Sequence, residues 1–342
     1  MQVYLDEVKS FYKANMHCHS TGSDGRATPE KIKEEYMKRG YSAVAFTDHD
    51  HIVNCSHLTD DSFVAIVGYE LDVTDPKIPW DSFTRQVVHT MHMNLYATDP
   101  SSVTTLCMSA EADHKGPEEV RATMKYDGRA DMRVWSPEGI SKIVDYAHEQ
   151  GFLVCYNHPV WSLEYEAQYL NYGDLDFVEI FNTGCYRAGL DSYEQILDVM
   201  IKNGKNVAPI AADDNHNAHG FEGTKTDSFG GWIMINADRL EYGELMRALK
   251  EHRFYASTGP EIYSITREDE VIRVRTSPAR RIAKCTEGRQ CAAKFAEDGE
   301  LITEATFKVR QNERFFRITV EDAQGRRAYS PLYPGRDDAG EL

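Results

Sequence analysis

The sequence predicts an α/β protein whose strands alternate with helices and close into a barrel, followed by a small antiparallel β domain. Three observations predict this fold class. Apolar runs alternate with helical patterns from the N-terminus to about residue 258. Polar residues cluster at the carboxyl ends of these runs, where barrels of this type gather their functional side chains. After residue 260 the pattern changes to short alternating stretches with turn signals between them.

Seven apolar runs have the length and composition of strands. Helical patterns lie between most of them, and this alternation is typical of a parallel sheet, open or closed. We favour the closed form because polar residues follow the strands all along this part of the chain. The seven predicted strands are residues 12–18, 42–48, 63–71, 87–97, 152–158, 176–182 and 207–213.

Two helix starts are marked clearly. Thr28-Pro29 and Ser136-Pro137 each place a capping hydroxyl before a proline at the first helical position. From Ile140, apolar residues follow at the i, i+3, i+4, i+7 spacing of a helix face. Glycines suited to the position after a helix occur at 40, 151 and 204.

The chain is predicted to divide into a barrel domain, residues 1–260, and a small antiparallel β domain, residues 261–342. The stretches VIRVRTS, ATFKVRQ and FFRITVED alternate apolar and polar residues, and DAQG is a turn signal. Because the second region contains no histidine, we expect no catalytic chemistry there.

Composition narrows the classes of partner. The formal net charge of −17 opposes binding to long nucleic acid, which depends on a basic surface. It allows a small phosphorylated substrate, because local arginines or bound metals can reverse the charge inside one pocket. With neither an apolar leader nor a run long enough to span a membrane, we expect a cytoplasmic protein without membrane contact. The oligomeric state is left open.

Nearly every predicted strand ends in histidine, aspartate or glutamate. So many carboxylates in one barrel mouth would repel one another, and divalent cations relieve that repulsion. Imidazole together with carboxylate suits Zn²⁺, Mn²⁺ or Fe²⁺. The residues at the strand ends are His17, His19, Asp48, His49, Asp50, His51, Glu70, His89, His92, His158, Glu179, Asn182, Asp213, Asp214, His216 and His219.

The spacing of these residues supports metal binding. His17 and His19 share one face of a strand, so both rings can reach one ion, and Asp214 and His216 do the same on the seventh strand. Cys18 could be a ligand, but in a strand its side chain points away from the two histidines into the barrel wall, and we favour that reading.

Taken together, the motifs HCHSTGSDG, AFTDHD, GYE, NHP and DDNH resemble those of the PHP (polymerase and histidinol phosphatase) family of metal-dependent phosphoesterases, which are amidohydrolase-like. The stretch RFYASTGP is similar to the one that ends the barrel in several members. The resemblance covers roughly residues 12–260. It implies a distorted seven-stranded (β/α) TIM-like barrel that holds two to three divalent metal ions.

The resemblance also implies a set of metal ligands. On the fourth strand, His92 fits the family's His-apolar stretch better than His89 does. Asp213 is an addition to the family pattern, and we expect it to support the site rather than bind metal. Residue by residue, the ligands are His17, His19, Glu70 and Asp214 for the first metal, Glu70, His92 and His158 for the second, and Asp24, His49 and His216 for the third.

The activity implied is hydrolysis of a small organic phosphate by a metal-bridging hydroxide, with Glu70, Asp214 and His216 as catalytic residues. The substrate is expected to be a small phosphorylated metabolite such as a sugar or nucleotide phosphate. The sequence does not separate a phosphomonoester from a cyclic or other phosphodiester. Candidate substrate-binding residues are Arg187 first, then Asn182, Arg129 and Arg133.

The connection between the fourth and fifth strands, residues 94–134, is long enough to cap the site. After the fifth strand, Trp161 and Tyr165 are either an aromatic wall of the substrate pocket or part of the packing under a helix. Two other functions remain open: an amidohydrolase-type carbonyl hydrolase and a metal-bearing module without catalysis. No lysine follows a strand beside these histidines, which disfavours the former.

Overall fold

The computed structural model describes residues 1–77, 87–112, 115–190 and 194–336. In these ranges the strands, β1 to β20 in chain order, are Gln2–Leu5, Ser10–Asn15, Tyr41–Phe46, Val64–Thr74, Thr90–Ala97, Thr104–Thr105, Lys125–Tyr126, Phe152–Tyr156, Phe177–Asn182, Ala208–Ala212, Trp232–Ala237, Phe254–Ser257, Ile262–Glu268, Val271–Ala279, Arg281–Thr286, Ala292–Phe295, Ile302–Lys308, Phe315–Glu321, Arg327–Tyr329 and Tyr333–Pro334. The helices, α1 to α7, are Pro29–Met37, Glu118–Arg121, Pro137–Glu149, Glu166–Tyr169, Thr183–Arg187, Glu194–Lys202 and Tyr242–Lys250.

A large mixed sheet dominates the fold. Its order is β10-β9-β8-β5-β4-β3-β2-β11-β12-β19-β18-β15-β16, with β20 beside β18. Strands β2, β3 and β4 are parallel, as are β8, β9 and β10, but β5 runs antiparallel to both β4 and β8. The expectation of an entirely parallel sheet was therefore wrong at the fourth predicted strand. Because Thr74 at the end of β4 faces Thr90 at the start of β5, the chain turns back beside itself instead of crossing over.

The segments after β2 and β10, which belong to the first and last of the seven predicted strands, meet at one end of the molecule. An isolated parallel bridge joins Cys18 to Asn215. The His19 amide donates to the Asn215 carbonyl at 3.1 Å, and the Asp214 amide donates to the His17 carbonyl at 2.9 Å. In the described ranges this contact brings the two segments together without a continuous strand ladder.

Both predicted helix starts are confirmed. The Thr28 hydroxyl accepts from the amide of Lys31 at 3.3 Å at the start of α1. The Ser136 hydroxyl accepts from the amide of Gly139 at 3.0 Å at the start of α3. Each hydroxyl thus satisfies an amide that has no partner inside its helix.

The chain after residue 260 forms antiparallel strands, as its alternating pattern predicts. Strands β13, β14 and β17 form a four-stranded sheet with β1, whereas β15, β16, β18, β19 and β20 extend the large sheet through the β12–β19 pair. Their apolar core also contains Tyr4 and Leu5 from the N-terminus. The N-terminal strand therefore packs with this region, and a domain boundary at residue 260 stays a prediction.

The larger hydrophobic core lies between strands of the large sheet, from β2 to β12 along the chain, and helices that cover them. It includes buried side chains such as Ile143 of α3, Leu197 of α6 and Leu245 of α7. This packing fixes the strand ends that carry the polar cluster described below. In the described part of the chain, no helix has the length and apolar character needed to cross a membrane.

Candidate metal centre

In the part of the chain that the structure describes, nine His, Asp and Glu side chains converge at one end of the large sheet. They form four overlapping groups, and within each group one potential ligand atom per residue lies within 4.8 Å of the others. The groups are His19, Asp24, His49 and His216; His17, His19 and Glu70; His17, His158 and Asp214; and His49, Glu70 and His92. These are the same nine residues that the family resemblance implies as ligands.

The backbone at two strand ends is shaped for this site. His158 follows β8 with φ of 25°, and Asp214 follows β10 with φ of 53°. Positive φ is uncommon outside glycine, and such residues cluster at functional sites where the surrounding structure holds them. The Asp214 amide is held by the His17 carbonyl. Both side chains are thereby turned into the cluster.

The reversed direction of β5 explains how its histidine reaches the site. His92 lies near the start of β5, opposite Asp72 of β4, so it lies at the same end as the carboxyl ends of the parallel strands. Its Nδ1 is 3.0 Å from Glu70 Oε1. His89 lies instead beside Tyr165, with His89 Nε2 3.4 Å from the tyrosine hydroxyl. The structure thus places His92, and not His89, in the cluster.

Glu70 occupies the centre of the cluster and is 1% exposed. Its Oε1 is 3.0 Å from His92 Nδ1, 3.1 Å from His158 Nε2 and 3.3 Å from His17 Nε2. Its Oε2 is 3.0 Å from His49 Nδ1. The two oxygens of one carboxylate therefore face different sets of histidines, as a bridging ligand requires.

The donor set fits divalent cations. His17 Nε2 and His19 Nε2 face each other at 3.2 Å, and both lie near Asp214 Oδ1, at 3.2 and 3.0 Å respectively. Among the described residues, the buried Nδ1 atoms of His19 and His158 find no hydrogen-bond partner. Ring nitrogens and carboxylate oxygens converging in this way suit Zn²⁺, Mn²⁺ or Fe²⁺.

The electrostatics of the cluster favour bound positive charge. Burial opposes protonation of His17 and His19, but the surrounding carboxylates outweigh it, raising the pKa of His17 and bringing the pKa of His19 to about 10. Burial also opposes ionisation of Asp214, yet neighbouring histidines, His17 first, lower its pKa. A divalent cation would provide the same compensation and release the histidine protons on binding.

The cluster opens to solvent on one side. The side chains of His17 and His19 are fully buried, whereas those of His216 and Asp24 are 34% and 49% exposed. Asp24 Oδ1 lies 3.4 Å from His216 Nε2. The Asp227 carboxylate holds the backbone of His216, accepting from its amide at 2.8 Å. A substrate would therefore approach from the side of Asp24 and His216.

A family model described as the PHP domain matches residues 15–207. The chain belongs to the PHP family. The matched residues include seven of the nine clustered side chains, which lie on or just after β2, β3, β4, β5 and β8. No curated protein matches the sequence.

Solved structures similar to this PHP protein have low sequence identity to it. One is a two-domain protein from Bacteroides vulgatus, described as containing a predicted PHP-like metal-dependent phosphoesterase, with 12% identity, 96% of both chains covered and a TM-score of 0.41. A candidate metal-dependent phosphoesterase from Bifidobacterium adolescentis has 17% identity, covers 63% of this chain and 92% of its own, and gives 0.39. An amidohydrolase from Chromobacterium violaceum, with bound sulfate and no metal, has 14% identity, 59% and 87% coverage, and 0.36.

Sequence reasoning gave no role to one side chain that contacts this PHP cluster, Glu179 of β9. Its Oε1 lies 2.7 Å from His17 Nδ1. Its Oε2 accepts from the His158 amide at 2.8 Å and from Asn182 Nδ2 at 3.0 Å. The available signal was an acidic residue inside the apolar run DFVEIFN.

Asp213 lies next to the cluster but outside all four groups. Its carboxylate accepts from the Tyr36 hydroxyl at 2.8 Å and the Thr183 hydroxyl at 2.6 Å. It also accepts from the amides of Phe229, Gly230 and Gly231, at 2.8 to 3.2 Å. Asp213 therefore ties the end of β10 to α1, α5 and the loop before β11, and these donors occupy both of its oxygens.

Arg187, one of the predicted substrate-binding arginines, lies beside the exposed side of the site. Its Nε donates to the Thr226 carbonyl at 3.1 Å. It lines a cavity of about 450 Å³ together with Asp214, His216 and Trp161. The Trp161 ring lies 4.9 Å from the His92 ring, centroid to centroid. The cavity thus joins an arginine and an aromatic ring to the exposed side of the metal centre.

The other predicted substrate-binding residues are held by internal contacts. Arg133 donates to Asp50 Oδ1 at 2.7 Å and to the Cys107 carbonyl at 2.8 Å. Arg129 lies over the Tyr146 ring, 4.7 Å from its centroid. Asn182 is buried and bonded to Glu179 and to Asp214. Their predicted roles in substrate binding stay predictions.

The segment predicted to cap the site contributes a lysine that sequence reasoning missed. Lys115 Nζ is 3.6 Å from Asp72 Oδ1. Burial opposes its charge, but the carboxylates of Asp72, Asp50, Glu70 and Asp24 raise its pKa. The next residue, Gly116, has φ of 104°, and a Cβ there would lie 2.5 Å from the Gly22 carbonyl oxygen. The absence of a side chain at Gly116 lets this segment lie close against the loop that carries Asp24.

Proposed function

We propose that this PHP protein is a metal-dependent phosphoesterase that hydrolyses a small organic phosphate, either a monoester or a cyclic or other diester. The observation that carries the proposal is the overlap of the four groups. His17, His19, His49 and Glu70 each belong to two of them. Groups that share ligands hold ions close together, so the site would bind two or three divalent cations. When bound, such ions provide Lewis acidity at the phosphoryl oxygens and lower the pKa of water.

The residues of the site have separate tasks in this proposal. Glu70 would bind on two sides at once, because its oxygens face different histidines. His17, His19 and His158 lie in the buried part, where they would hold the ions away from bulk solvent. Asp214 and His216 border the cavity, and the imidazole of His216 could hold the proton that the leaving oxygen takes up.

Recognition of an anionic substrate would come from cations around the opening. Arg187 is anchored through its Nε, so the far end of its guanidinium remains for a phosphate. Lys115 lies beside Asp72 at the cap, and Lys225 lines the same cavity as Arg187. These local cations act against the overall charge of −17, which disfavours long nucleic acid as a partner.

We also propose how the strands are arranged around this site. The bridge between Cys18 and Asn215 brings the first and last strand ends together, as in a distorted seven-stranded barrel with β5 reversed. Residues 1–260 would form this barrel domain, and residues 261–342 a β domain beside it.

The experiment is to purify the protein without chelators, count metals per chain and assay phosphate release on the same sample. The ester panel would contain p-nitrophenyl phosphate, its bis-ester, sugar and nucleotide phosphates, and a cyclic phosphate. We expect two to three metals and release from one class of ester. His17→Ala should lose most metal and activity, whereas His148→Ala, outside the cluster, should retain both. Bound metal without release from any ester would favour carbonyl hydrolysis or a non-catalytic role.

A further inference from the structure

Strand β9 lies between β8 and β10 in the large sheet. In the described part of the chain, none of its residues belongs to the four metal-binding groups. It nevertheless ends inside the centre. Glu179 and Asn182 are both buried, at 0% and 2% exposure, and their side chains contact the clustered residues His17 and Asp214. A charged group with no exposure needs full hydrogen-bonding, so its partners indicate its task.

The Glu179 carboxylate uses both oxygens on residues of the centre. Oε1 faces His17 Nδ1 at 2.7 Å, which fixes the proton of that ring on Nδ1. The other nitrogen of His17, Nε2, is then free to accept a cation, and it points at Glu70 and Asp214, at 3.3 and 3.2 Å. Oε2 accepts from the backbone amide of His158 at 2.8 Å.

Asn182 extends the same arrangement to a second ligand. Its Nδ2 donates to Glu179 Oε2 at 3.0 Å and to Asp214 Oδ2 at 3.2 Å, which uses both amide hydrogens. Its Oδ1 accepts from the Cys185 amide at 2.9 Å and caps α5. The Asn182 side chain is thus fully engaged inside the protein.

We infer that Glu179 and Asn182 are positioning residues of the metal centre, and that β9 contributes orientation in place of ligands. Glu179 sets the ring of His17 and the backbone of His158, and Asn182 directs Asp214. This assigns Asn182 a task other than the substrate binding expected from the sequence. The inference rests on the metal centre of the proposed function but not on phosphate hydrolysis.

The test measures Co²⁺ binding to metal-free protein by visible absorption, in competition with a chelator and without substrate. Glu179→Gln keeps the size of the side chain but cannot accept on both sides, because one side of an amide is a donor. We expect it to weaken the tightest Co²⁺ site ten- to hundredfold. Asn182→Ser, which retains an oxygen to cap α5 but no donor toward Asp214, should weaken Co²⁺ binding severalfold.

The matched control is Asp176→Asn. Asp176 precedes β9 and holds His148 Nε2 at 2.8 Å, so this variant weakens the same kind of pair at the opposite end of the strand. It should bind Co²⁺ within twofold of the parent. Unchanged affinity in Glu179→Gln, or an equal loss in Asp176→Asn, would overturn the inference.

A folding defect of the variant and a lack of esterase activity can each be distinguished from a failure of this inference. If Glu179→Gln does not fold, the folded Asn182→Ser variant decides, and parental affinity there overturns the inference. A parent protein that binds Co²⁺ tightly but hydrolyses no ester contradicts the proposed function alone. A parent that binds no Co²⁺ overturns both.

Discussion

At the scale of single residues, the environment of each histidine separates ligand candidates from the rest. His49 belongs to two of the four groups, and its Nδ1 lies 3.0 Å from Glu70 Oε2. His148, with the same side chain, lies outside the cluster and pairs with Asp176. Both residues are histidines, so only the side chains around them distinguish a candidate metal ligand from a histidine outside the cluster.

The first prediction concerns the two histidines of the fourth predicted strand. His92→Ala should lose one metal per chain and lower kcat at least a hundredfold, because His92 contacts Glu70 in the centre. His89→Ala should change both by less than twofold, since His89 contacts Tyr165 instead. Metal counting and steady-state kinetics on both variants provide the check, and loss of metal from His89→Ala would contradict the placement.

The second prediction is a pH dependence of stability at Glu164. Burial raises the pKa of this carboxyl to about 7, against the hydrogen bonds from the Tyr156 and Tyr172 hydroxyls, which lower it. The folded state thus favours the protonated form. The protonated Glu164 carboxyl contributes its full stabilisation of the fold below the pKa of the unfolded chain, near 4.5. This stabilisation, with about 3 kcal/mol as the upper bound, is lost as the pH rises to 7.

Glu164→Gln should remove this dependence. Denaturant unfolding at pH 5 and pH 8 would measure it: the parent should lose stability relative to the variant as pH rises. Glu166→Gln, on the exposed start of α4, is the control. A constant difference between parent and Glu164→Gln across this range would refute the assignment.

At the scale of elements, strand direction decides which residues reach the site. A parallel β5 would carry the start of the strand, and therefore His92, to the end opposite the parallel strand termini. In the structure β5 is antiparallel, and His92 pairs with Asp72 two residues beyond Glu70. The cap segment acts at the same scale, because it brings Lys115 to Asp72.

The third prediction tests the cap. Lys115→Met should raise KM for a phosphate ester about tenfold with little change in kcat, because its partly exposed charge beside Asp72 would attract an anionic substrate and is not one of the potential metal ligands. Lys125→Met, on the same segment in β7, is the control and should leave KM unchanged. Equal effects of the two substitutions would show that overall charge, and not the position of Lys115, matters.

At the scale of the whole molecule, the metal centre joins elements that are far apart in the chain. Its groups draw on residues from His17 to His216, and they include both sides of the Cys18–Asn215 bridge. Ions bound there would act as cross-links between the segments that follow β2 and β10. Binding to the folded state alone would therefore stabilise the entire fold.

The fourth prediction follows from this linkage. A divalent cation at a hundredfold excess over its Kd should stabilise the protein by about 2.7 kcal/mol per independent site. Thermal unfolding with and without chelator would show a higher Tm for the metal-loaded protein. Asp214→Asn should abolish most of this difference, and a Tm indifferent to metal in the parent would contradict a centre that spans the fold.

The sequence by itself determined the local features. The alternation of apolar runs and helix starts predicted most strands and the helices capped by Thr28 and Ser136, because periodicity and capping depend on neighbours in the chain. The motifs around His17, Glu70 and Asp214 predicted the family and all nine clustered residues. These signals are local, so they can be read without knowing the fold.

The tertiary structure decided what depends on pairing between distant segments. The reversal of β5 depends on its pairing with β4, and no local pattern encodes strand direction. Glu179, Asn182 and Lys115 acquire their roles from partners on other elements, such as His17, Asp214 and Asp72, and such contacts exist only once the strands are assembled.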